Sequence, residues 1–193
     1  MTAQISDRLM YRDCDYSIVG WEGAAPFDPA AYGLEPIMFS TGCWQGYHCA
    51  YEVAPAAAPD PTAVVEQPEK LVLTTVFIGL GGEQREAAER GAGPGLFGVV
   101  PRYSDSDGCF VYGGLTAELP FSGCLTLGRD FIWDQYVHMG FHPPWKYRTV
   151  LDLTFEAGRL VQAVDRSEDM SRLRASVDGG SPLSPFGLLE PPR

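Results

Sequence analysis

The chain has 193 residues, 45% of them hydrophobic and 20% charged, with a formal net charge of -11. A chain of this size buries enough apolar surface to fold without a metal or a disulfide. The acidic balance argues against nucleic acid and anionic membrane as partners and favours basic ones. Most of the excess sits early: residues 1–69 carry ten acids against Arg8 and Arg12 alone. Five cysteines, Cys14, Cys43, Cys49, Cys109 and Cys124, form no CxxC pair. With no signal peptide at the start, they read as reduced, mostly buried thiols of a cytoplasmic protein. No apolar run reaches the ~20 residues of a membrane helix.

Residues 8–19, RLMYRDCDYSIV, have the pattern of a β-hairpin with a polar turn. The Gly-, Pro- and Ala-rich residues 20–40 read as a long connection, with one helical turn started by Asp28 and Pro29. In TGCWQGYHCAYEV, Tyr47, Cys49, Tyr51 and Val53 alternate with His48, Ala50 and Glu52, which predicts a half-buried strand. A Pro/Ala-rich insertion at 54–68 reads as mobile, and LVLTTVFIGL after it as a central strand. EQREAAER has helix formers, with Glu86 and Arg90 spaced i,i+4. LFGVVPRY, CFVYGGLTAELPF and CLTLGRDFI then predict further short strands.

TVLDLTFEAGRLVQAVD predicts a hairpin that turns at Ala157-Gly158. SEDMSRLRASV predicts a helix with Ser167 as its N-cap. Residues 1–178 thus read as one β-rich domain and 179–193 as a Pro/Gly-rich tail. The expected fold is mainly β: an antiparallel sandwich or partly open barrel of about eight to ten strands with one C-terminal helix.

Candidate chemistry is sparse. His138 and His142 in HMGFH have metal-ligand spacing, but Gly140 lies between them, Pro143-Pro144 follows, and Met139 stands where HExxH has its glutamate. No metal and no cofactor is expected. His48 and Cys49 are neighbours on a strand and face opposite sides, so they do not form a nucleophile-base pair. No catalytic residues are assigned. Tyr136, His138, His142, Trp145, Lys146 and Tyr147 are the candidate binding residues, since aromatics with a few polar groups suit a ligand pocket or a protein-binding face. The plainer alternative is a Pro-Pro turn pinned by Trp145 against the core.

The segments STGCWQGYHCAYEV, KLVLTTV and YVHMGFHPPWKYRTVLDLTFEAGRLVQAVDRSEDM together resemble a family of small bacterial proteins without an established activity. Its members pair W-x-G-Y and K-L-x-L strands with a later Y-V-H-M-G segment, and they look like proteins found near toxin loci. The resemblance spans most of residues 8–170, without the insertion and the tail. It implies an immunity-type protein that neutralises a basic partner through an acidic surface. The alternative is a small enzyme or small-ligand-binding barrel with a histidine and aromatic pocket, so a small-molecule partner stays open.

Overall fold

The computed structural model describes residues 2–55 and 68–178. The chain is mainly β, with 49% strand and 17% helix, and its central feature is a closed seven-strand barrel with further strands attached. The strands are β1 (Arg8–Tyr11), β2 (Cys14–Gly23), β3 (Tyr47–Pro55), β4 (Glu69–Ile78), β5 (Arg102–Ser104), β6 (Cys109–Glu118), β7 (Gly123–Phe131), β8 (Tyr147–Glu156) and β9 (Arg159–Asp165). The helices are α1 (Gly82–Glu89) and α2 (Ser167–Asp178). The order around the barrel is β3-β1-β2-β7-β8-β9-β4, and β3–β4 pairing closes it, with β6 and then β5 extending from β4. All pairs are antiparallel except β1–β3, where Arg8 lies opposite Ala50. The thinnest seam is β4–β9, joined by a single pair, Lys70 with Arg159. Of the two expected arrangements, sandwich or partly open barrel, the barrel is the one that forms, and it is closed.

The interior is solid. Leu9 and Ile18, Cys49 and Tyr51, Leu71, Leu73 and Ile78, Leu125 and Leu127, and Leu153 and Phe155 are all buried. They come from alternate positions of adjacent strands, as a pleated wall requires. Tyr112 and Leu115 of β6 join the same core.

Most expected elements are present. Arg12 and Asp13 form the first turn, both at positive φ (49° and 58°). The second strand runs further than its pattern suggests, through Gly20 to Gly23, because it pairs with β7 across an irregularity between Ile18 and Gly20. The helical turn at Pro29–Tyr32 is a 3-10 turn in which Asp28 accepts from the Ala30 N–H at 3.0 Å. The Glu86–Arg90 pair forms on α1 at 3.7 Å. Of LFGVVPRY only Arg102 and Tyr103 enter a strand, since Leu96–Val99 closes a tight turn with two mutual backbone bonds of 2.9 Å. The α2 cap also differs: Asp165 Oδ1 accepts from the Ser167 N–H at 2.8 Å, while the Ser167 hydroxyl accepts from Val150 N–H at 3.0 Å. Most of the expected mobile insertion and the expected tail lie outside the described residues.

Candidate functional site: the aromatic loop between β7 and β8

Residues 132–146 leave the barrel at Phe131 and return at Tyr147, two residues paired across β7 and β8. Ile132 N–H donates to Lys146 C=O at 2.9 Å and closes the base of the loop. Between these points the chain forms two 3-10 turns, Trp133–Gln135 and Pro144–Lys146. Gly140 takes φ 66° and Pro143-Pro144 removes two donors, so neither helix nor strand forms here. His138 and His142 therefore lie on neither a helix face nor a strand face.

Phe131 is the hub. Its ring centre is 5.4 Å from Trp133, 5.2 Å from Tyr147, 6.4 Å from Tyr136 and 4.7 Å from His142. Edge-on geometry dominates, as the ring quadrupoles favour. The Tyr136 hydroxyl lies 3.0 Å from His138 Nδ1, and its ring is 5.3 Å from that of His142. The structure thus gathers Tyr136, His138, His142 and Tyr147 about one aromatic centre.

His142 is held in an unusual way. Both ring nitrogens are buried, and neither has a hydrogen-bond partner among the described residues. Burial, and then the Lys146 charge, push its pKa below the ordinary histidine value. Lys146 is only 6% exposed, and burial lowers its pKa in turn. Its Nζ lies 5.4 Å from the centre of the Trp145 ring.

Trp145 is half-buried and does not enter the core, so the expected turn pinned by Trp145 is not what forms. Lys146 and Tyr147 are the buried members of that segment. The Trp145 carbonyl instead accepts from Arg174 Nη1 of α2 at 2.5 Å, and the Tyr147 carbonyl accepts from the same atom at 3.2 Å. Burial raises the pKa of Tyr147, with Ser17 of β2 acting in the opposite sense. The loop is thereby fixed against the outer wall of the barrel.

Two surface recesses lie elsewhere among the described residues. One of about 690 Å³ is lined by Val99, Val100, Pro101, Arg102, Val111 and neighbouring glycines. The other, about 220 Å³, lies beside Phe27, Tyr32 and Phe121. Neither is lined by a histidine, a cysteine or any of the six candidate residues. Among the described residues, no three His, Cys, Asp or Glu side chains gather as a metal site would require. His48 faces outward and stacks on Phe77 at 4.5 Å, while Cys49 is fully buried, so the two do not meet. No helix among the described residues is long and apolar enough to cross a membrane.

No family model, no curated protein and no solved structure matches this chain. Its own geometry is therefore the guide to what it does.

The loop also carries side chains that the sequence reading passed over. Trp133 is 76% exposed and Phe141 56%, with Val137 and Met139 exposed beside them. Gln4 N–H donates to Gly140 C=O at 2.9 Å and joins this tip to the N-terminal segment. Ile5 N–H then donates to Gly42 C=O at 2.7 Å, and Gln4 Oε1 accepts from Trp44 N–H at 3.0 Å. Ile5 and Trp44 are exposed as well, so a ridge of large apolar groups runs across three segments. The large apolar residues of WDQYVHMGF thus form an outward face.

Among the described residues, the acids of the first third lie on several elements, with Asp15 and Glu52 on either side of Met10. Asp15 pairs with Arg8, and Asp28 caps a turn. Asp7 accepts from the Cys49 N–H at 2.8 Å, and burial raises its pKa to about 6. Asp13, Glu22, Glu35 and Glu52 are exposed on separate elements.

Proposed function

We propose that this chain is a cytoplasmic binding protein of the immunity type, without catalysis, that docks a basic protein partner on the aromatic ridge. Trp133, Tyr136, Val137, Met139 and Phe141 would supply the anchors, with Ile5 and Trp44 at the margin. The observation that carries the reading is the exposure of this apolar series on a loop fixed at both ends. Soluble monomers rarely leave so many large apolar groups together in water, and interfaces are built from such groups. The net charge of -11, and the exposed Asp134 beside Trp133, favour a basic partner. The resemblance to proteins near toxin loci agrees with it. Trp145, Lys146 and Tyr147 support the ridge from beneath and are not the contact surface in this reading.

The rival, a small enzyme or ligand barrel, has less support. The barrel interior is packed with side chains, and the two recesses described above have no histidine or cysteine in their walls. A pull-down at low salt from the source cell separates the two, comparing the natural chain with a Trp133→Ser/Phe141→Ser variant. A basic protein held by the first and lost by the second supports the proposal. Equal recovery by both, or recovery of no basic protein, overturns it.

A further inference from the structure

We propose that the loop 132–146 is an acid-released flap, closed at neutral pH and freed when His142 takes a proton. A neutral imidazole carries one N–H and one lone pair, and here both nitrogens are buried without a partner among the described residues. The neutral ring tolerates this, because it packs as an aromatic against Phe131 and Tyr136. An imidazolium would not: it has two donors and a charge, and in such surroundings both need an acceptor.

The groups around it offer none that could compensate. Phe131 faces it from β7 and Tyr136 from the loop itself, and the Tyr136 hydroxyl lies against His138. Tyr147 of β8 packs its ring edge-on against Phe131 at 5.2 Å. The charged group that acts on His142 is Lys146, which is a buried cation. Asp134 on the neighbouring turn is exposed. Asp130 bonds to Thr149 at 3.3 Å and lies 3.4 Å from Arg129 Nε. Protonation therefore sets two positive charges in one apolar cluster, and lifting the loop into water relieves both.

The direction follows from linkage. The closed loop binds a proton less readily than the open one, so closure is most stable above the ordinary histidine value of ~6.5 and weakens as pH falls below it. Opening would take Trp133, Val137 and Phe141 out of register with Trp44 and Ile5. In that consequence the inference rests on the docking reading; the opening itself needs no partner.

Amide hydrogen exchange of the isolated protein tests it, read by mass spectrometry between pH 7.5 and 5 and corrected for intrinsic exchange. Peptides covering 132–146 should lose protection by up to about tenfold per pH unit below 6.5, while the strand 147–156 stays protected. His142→Phe should make the loop insensitive to pH, and His142→Gln serves the same purpose if the phenylalanine variant does not fold. Lys146→Met should weaken the response, because the repelling charge is gone. An equal loss of protection in both His142 variants, or no loss in the natural chain, overturns the proposal. A negative pull-down with a positive exchange result would reject the docking partner and leave the flap intact.

Discussion

The ring of Tyr147 occupies the space that a side chain at Gly128 would need. A β-carbon built on Gly128 would lie 2.6 Å from Tyr147 Cγ and within 2.9 Å of both neighbouring ring carbons. The two residues sit on adjacent strands, and the missing side chain lets Tyr147 lie against the barrel wall and support Phe131. Gly128→Ala should therefore cost about 1–3 kcal/mol, the usual range for overpacking. Chemical denaturation would measure it. Tyr147→Ala in the same chain should remove the clash, so the double variant should be less damaged than the two single losses added together.

Asp7 gives a stability effect with a definite sign. Its carboxyl is bonded to Cys49 N–H and the Tyr51 hydroxyl, yet burial outweighs these bonds and raises its pKa to about 6. The unfolded chain would ionise this group near ~3.9. The folded state therefore holds the proton more tightly, and its advantage is full below that value and lost as pH rises through about 6. Asp7→Asn keeps an acceptor for Cys49 and carries no charge. At pH 7.5 it should be more stable than the natural chain by up to about 3 kcal/mol, with the difference vanishing near pH 4. Urea midpoints of the two proteins at both pH values would check this. A variant that is equally destabilised at both would show that the carboxyl is needed for its shape alone.

Strand patterns were legible because period-two alternation is a local property. Tyr47 to Val53 and Leu151 to Phe155 fall where alternation places them, and the turn at Ala157-Gly158 takes the two positive φ values, 47° and 82°, that a tight hairpin needs. What could not be read was the closure. The β4–β9 seam depends on one long-range pair, and nothing local to Lys70 or Arg159 encodes it. The site was half legible for a related reason. Aromatic density pointed to 136–147, but density does not say which rings face out. Trp133 and Phe141 look as core-like in sequence as Phe131, and only the chain path around Gly140 and Pro143 separates them. Lys146 misleads in the opposite sense, since its charge predicts exposure and its four-carbon stem packs instead.

The start of α2 offers a third test, because it bears on the loop from a distance. Asp165 Oδ1 accepts from the N–H of Ser167 at 2.8 Å, and its interaction with Ser167 holds its pKa below the usual carboxylate value. Asp165→Ala removes the cap and should cost about 1 kcal/mol, as such losses commonly do. The contribution should be present above ~3.9 and lost as pH falls through the lower folded value. The same change should loosen the Arg174 grip on the Trp145 and Tyr147 carbonyls, seen as faster exchange at the base of the loop. Arg174→Met should reproduce the effect on the loop without altering the cap.

The cysteines make the last prediction. All five are free thiols; Cys43, Cys49 and Cys109 are buried, and Cys14 and Cys124 are partly exposed. Burial raises the pKa of Cys43 and Cys109 to about 11 and that of Cys49 well above the ordinary thiol value, so little thiolate exists at any of the three near neutral pH. A thiol reagent at pH 7.5 should therefore modify at most two positions in the native protein, Cys14 and Cys124, and all five only after unfolding. Cys124 should be the slower of the two, because burial and the nearby Asp152 also raise its pKa. Peptide mapping after a short exposure would assign the sites. Fast labelling of Cys49 in the native state would contradict its place inside the barrel, and with it the bond to Asp7 that orders β1 against β3.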